Sequence, residues 1–183
     1  MIRIIVATAV LLTGIATATA QTTAPTAATP KPETRQLDAH EHGKSALSIA
    51  VDGNTVSMDF DAPGDDIVGF ETEAKTPEQK AARDAAIKTL SSPADLFVLP
   101  AAAGCTTTTA KVEVNTSAAG HSEFEGKYTL TCTDTTKISD IDFQLFKAFP
   151  KADKVTVTVI SAKGQQQFVA TPKAPKVNLA GVM

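Results

Sequence analysis

Apolar and polar residues alternate in several short stretches of this chain, and that period of two predicts strands. Lys44–Val51 carries Ala46, Leu47, Ile49 and Val51 as its apolar content, and Thr55–Asp61 puts Val56, Met58 and Phe60 on one face. Between them Asp52-Gly53-Asn54 has the turn chemistry of a tight hairpin. Thr106–Val114 is a Thr-rich strand in which Val112 and Val114 alternate with charge, and His121–Cys132 is a long strand with Phe124, Tyr128, Leu130 and Cys132 on one side. Asp153–Ile160 alternates strictly, and Lys163-Gly164-Gln165 turns it into Gln166–Ala170 as a second hairpin. The apolar spacing of Ile138–Phe149 fits a strand through Leu145 and then one helical turn ending at Pro150.

One stretch reads as a helix from about Pro77 to Leu90. Thr76 stands at the N-cap, Pro77 at the first helical position and Gln79 where a capping-box partner belongs. Ala82, Ala86 and Leu90, with Ile87 beside them, make a weak apolar stripe for packing on a sheet. Asp65–Glu71 shows no clear period; its Asp65, Asp66 and Glu71 are either surface groups or supports for ligands from behind. The expected fold is a single α+β domain, mostly antiparallel β-sheet with one covering helix, over residues 40–172. Pro172 and Pro175 are expected to close it, leaving 173–183 as a frayed tail.

The N-terminal residues change where this domain is expected to work. Met1-Ile2-Arg3, an apolar run from Ile4 to Ala16 and the small residues Ala18-Thr19-Ala20 read as a secretory signal peptide over 1–20. Thr13, Gly14 and Thr17 interrupt the run, which is short for a span of about 20 apolar residues. Residues 21–39 are rich in Pro, Thr and Ala with almost no large apolar side chain, the composition of a disordered arm. Losing Arg3 with the leader moves the net charge from −3 to about −4. Mild acidity without a basic cluster argues against nucleic acid and against an anionic membrane surface. It suits cations.

Cys105 and Cys132 are the only cysteines, an even pair in a chain expected to be exported, and are read as a disulfide. They lack the CxxC spacing and the adjacent histidine of a reactive or metal-binding pair.

Metal chemistry centres on His40-Glu41-His42, because two of the three histidines stand there at the mouth of the first strand. In extended backbone, residues two apart project to the same side, so both imidazoles can turn to one ion. The competing reading is two solvated residues at the end of an arm. Zinc takes nitrogen and carboxylate ligands in a tetrahedral set. Copper(I) wants soft thioethers, and only Met58 and Met183 remain once Met1 leaves. His121 is the third imidazole, and Glu41, Glu123 or Glu125 could add an oxygen; an exposed, unligating His121 is the alternative. No G-x-S-x-G, phosphate loop, dinucleotide fingerprint or H-E-x-x-H occurs, so no enzyme is expected.

Taken in order, His40-Glu41-His42-Gly43 before a strand, Ala62-Pro63, Ile67-Val68-Gly69-Phe70-Glu71, Ala103-Gly104-Cys105, Phe124 through Tyr128 to Cys132, Leu145-Phe146, Phe149-Pro150 and Gly164-Gln165 resemble the ZrgA-like family of zinc-regulated periplasmic proteins. The resemblance implies periplasmic zinc binding and an accessory part in zinc acquisition beside a zinc ABC transporter. It favours His40 and His42 as ligands and Cys105–Cys132 as a structural disulfide. Many relatives carry a His- and acid-rich loop between the two cysteine strands; here it shrinks to Asn115–Gly120, with His121 alone remaining. A single modest zinc site is the implied capacity. The alternative function is an extracytoplasmic protein-interaction module that keeps the fold without tight metal binding.

Overall fold

The computed structural model describes residues 44–116 and 120–183. The expected leader, the arm, and His40, Glu41 and His42 lie outside the described residues. In chain order come β1 (Lys44–Asp52), β2 (Thr55–Pro63), α1 (Gly64–Val68), α2 (Pro77–Leu90), α3 (Pro93–Leu96), β3 (Phe97–Val98), β4 (Thr106–Thr116) and β5 (Ser122–Thr131). They are followed by β6 (Asp140–Phe143), α4 (Leu145–Ala148), β7 (Lys154–Ser161), β8 (Gly164–Ala170) and β9 (Lys176–Asn178). Among the described residues no helix is long and apolar enough to cross a membrane.

Six strands form one sheet in the order β4-β5-β2-β1-β7-β8, and three form a smaller one, β3-β6-β9. The β1–β2 hairpin turns at Gly53, which takes φ 54°, the position where a glycine-first turn needs a residue without a Cβ. Its register puts Leu47 against Phe60, Ile49 against Met58 and Val51 against Val56. The alternation read from sequence therefore becomes one buried face. The expected antiparallel pairing holds with one exception, since β1 and β7 run parallel. The period of two is the same in both directions, and the chain reaches β7 only after passing through the second layer.

That second layer is held by aromatic contacts. Phe97 of β3 lies 5.4 Å from Phe60 and 6.2 Å from Tyr128, ring centre to ring centre, and 5.8 Å from Phe143 of β6. The core thus sits between the two sheets, with Leu96, Leu145 and Phe146 of the short helices completing it. Helix α2 has the predicted bounds and cap: Thr76 Oγ1 accepts from the Gln79 N–H at 3.2 Å, and Gln79 Oε1 accepts from the Thr76 N–H at 3.1 Å. Its stripe is narrower than expected, however, because Ala86 and Leu90 are buried while Ala82 is exposed. The small sheet does most of the covering. Thr76→Ala should cost about 1 kcal/mol, read as a lower urea midpoint.

Two boundaries differ from the sequence reading. The strand after Ile138 ends at Phe143, and Leu145 already begins α4, because Gln144 takes helical backbone angles. More consequential is the C-terminus. Residues expected to fray return as β9, pairing Ile141 with Val177, and Val177, Leu179 and Val182 are buried. Pro172 and Pro175 do end β8, yet the Thr171–Ala174 bridge folds the chain back. A three-residue strand is too short to show a period.

Gly126 lies on the buried face of β5 beneath the Tyr128 side chain, and a Cβ there would overlap the tyrosine ring and hydroxyl. Tyr128 is itself buried and cannot swing away. Gly126→Ala should therefore destabilise by about 1–3 kcal/mol, seen as an earlier urea transition with an unchanged slope.

Candidate functional site

The chemistry-bearing residues gather where β1 begins. Because β1 and β2 are antiparallel, the start of β1 lies beside the end of β2, and because β2 and β5 are antiparallel, the start of β5 lies beside it too. Pro63 pairs with Glu123 and Asp61 with Glu125, while on the outer strand Asn115 faces Glu123 and Glu113 faces Glu125. Alternation places Glu113, Glu125 and Asp61 in one row on the face of the sheet away from the core, with Glu123 one row nearer the end. Like charges directly opposite one another are unfavourable. Lys111 relieves one of them: its Nζ lies 2.8 Å from Glu113 Oε1 and holds that carboxyl below the usual range.

His121 stands immediately before β5. It is half exposed, and its Nδ1 lies 3.0 Å from Glu71 Oε2. Glu71 is brought there by α1, which ends at Gly69 in the left-handed region, φ 82°. The backbone fixes the same contact, since the Ser122 N–H donates to the Glu71 carbonyl. On the core side Asp66 of α1 is buried and accepts from Ser45 Oγ at 3.0 Å. Gly64 opens α1 because a Cβ there would overlap Ser122 Oγ. The tight packing of α1 on β5 is what presents Glu71 to His121.

Of the residues singled out from sequence, His121 and Glu123 come to one end of the large sheet, with Glu125 two residues deeper; Glu123 is buried at 6 % exposure. His40, His42 and Glu41 lie outside the described residues. Among the described residues no group of three His, Cys, Asp or Glu side chains is placed to hold a metal ion. One imidazole with carboxylates does not by itself complete a tetrahedral zinc set. A cavity of about 150 Å³ lies behind this end, lined by Phe70, Arg83, Val114, Ser122 and Phe124 among others. Its described lining contains neither His nor Cys.

Cys105 and Cys132 are disulfide-bonded, so neither is a thiol ligand. The bond lies at the other end of β5, where Thr106 pairs with Thr131. Asp61 was not among the sequence candidates, because its place opposite Glu125 depends on strand register. The Glu71–His121 contact joins residues 50 apart, and only the local packing of α1 brings them together.

A family model described as "ZrgA family zinc uptake protein" matches residues 39–179, a span that takes in all three histidines and both cysteines. No curated protein matches the chain.

Proposed function

The chain belongs to the ZrgA family of zinc uptake proteins, and from that membership we propose that it binds zinc in the periplasm as a non-catalytic carrier or buffer. The cargo ion is held by imidazoles of His40 and His42 together with His121, and Glu123 or Glu41 supplies an oxygen. One observation carries the reading: β1 and β5 start at the same end of one sheet with a single strand between them. Continuing the β1–β2 register sets Lys44 beside Pro63, whose other neighbour is Glu123. Two strand spacings of about 4.8 Å separate those backbones, and Cα steps of about 3.8 Å keep His42 within roughly 8 Å of Lys44. Covalent geometry therefore allows the H-x-H segment to approach His121.

Glu71 gives His121 a defined ligand atom. A histidine that donates Nδ1–H to a carboxylate is fixed in tautomer and orientation and made more basic at its other nitrogen. With Nδ1 engaged by Glu71 Oε2 at 3.0 Å, Nε2 is the atom His121 offers to zinc. Calorimetric titration of zinc into the mature protein should show one site. Glu71→Gln should weaken it about 10-fold, and His121→Ala by at least as much; equal affinity in His121→Ala would remove this histidine from the site. The buried Glu123, beside the row of carboxylates, favours a cation there over an anion.

The proposed periplasmic setting rests on the secretory pattern of residues 1–20, and the proposed partner, a zinc ABC transporter component, on the family's role in uptake. The second reading, an interaction module without tight zinc binding, is favoured by the exposed Val169 and Ile160 on the face of the sheet away from the core. A pull-down that recovers one partner equally with and without chelator would support it.

A further inference from the structure

The two edges of the large sheet are built differently. On β4 the ladder shifts register between Thr107 and Thr109, and Lys111 and Glu113 stand along it. Bulges and charges are the usual devices that keep an edge from pairing with another chain. The other edge, β8, has neither: Gly164-Gln165-Gln166-Gln167-Phe168-Val169-Ala170 has no charge and no proline, and pairs with β7 without a bulge. Residues 164–167 are all exposed, so among the described residues this stretch of the strand is left uncovered. The face beside it holds two of the exposed large apolar side chains, Val169 at 54 % and Ile160 at 45 %.

We propose that β8 pairs antiparallel with β8 of a second copy, joining two six-stranded sheets into one across a two-fold axis near Gln167. The strand's own chemistry selects a second copy. A two-fold contact must be self-complementary, and a primary amide both donates and accepts, so a run of Gln matches itself where a charged strand would repel its own copy. The register follows from the apolar pair. With the axis at Gln167, Val169 lies opposite Gln165 of the second copy, and that Gln165 is already opposite Ile160 within its own hairpin. Val169, Gln165 and Ile160 then share one cross-strand row on one face, twice over. Val169 of each copy thereby gains a cross-strand neighbour in Gln165 of the other, extending the row that Gln165 already makes with Ile160. The acidic row of Asp61, Glu113 and Glu125 lies on the other side of β1 and stays clear of it. This inference is independent of the zinc reading.

Sedimentation equilibrium of the mature, oxidised protein from micromolar to millimolar concentration tests it. The expected result is a monomer–dimer equilibrium that Gln167→Lys weakens roughly tenfold or more, because two like charges then meet at the axis. Mixing Gln167→Lys with Gln167→Glu should restore association as a heterodimer. Circular dichroism should show both variants folded, since Gln167 is exposed. A chain that stays monomeric throughout, or a dimer that Gln167→Lys leaves unchanged or that chelator abolishes, overturns the proposal.

Discussion

Replacing His40 and His42 together by Ala is expected to weaken the binding of one zinc per chain by on the order of 100-fold or more. Supporting groups around a metal contribute 10–100-fold in affinity, and the double change removes two of the proposed ligands themselves. What remains, His121 with Glu71 behind it and Glu123 nearby, is one nitrogen and neighbouring carboxylates, short of the four ligands zinc takes. The stability of the metal-free protein should not change, since both residues precede β1 in the chain. Titration with and without zinc separates the two effects: binding falls while the urea midpoint of the metal-free protein holds. Zinc should raise the wild-type midpoint by mass action, and that rise should vanish in the double variant.

The second large effect concerns the disulfide. Changing Cys105 and Cys132 to Ser should lower stability by about 3–4 kcal/mol, the chain-entropy estimate for a 27-residue separation. The loop so closed contains all of β4 and all of β5. It thus includes His121 and Glu123. Because β5 is also the strand that Phe97 packs on through Tyr128, the loss should appear as a shift of the whole cooperative transition, measured by urea denaturation of oxidised protein against the double variant. Zinc affinity should survive in whatever fraction stays folded, since the bond lies at the opposite end of β5 from His121.

How much of this could be read from the chain differs by level. Hairpins were legible because alternation and turn residues are local: Val56, Met58 and Phe60 on one side and Gly53 at the bend fix β1 and β2. The helix start was legible for the same reason, since Thr76 and Gln79 meet within one turn. The disulfide followed from there being only two cysteines in a chain with an export pattern. Strand direction was not legible, and β7 came out parallel to β1. Neither was β9, whose Val177 is buried only because β6 lies alongside.

The site divides in the same way. His121 stood out as one of only three histidines. Its support by Glu71 and the opposition of Asp61 to Glu125 are products of α1 packing and of register. Those contacts join parts of the chain that no local pattern connects.

The account turns on whether imidazoles from before β1 and from the start of β5 hold the same zinc ion. X-ray absorption at the zinc edge, on the one-to-one complex of the mature protein and of its His121→Ala variant, measures this directly. The prediction is imidazole nitrogens about 2.0–2.1 Å from zinc, with one fewer in the variant. An unchanged imidazole count in His121→Ala, or a shell of oxygens alone in the wild type, would contradict it.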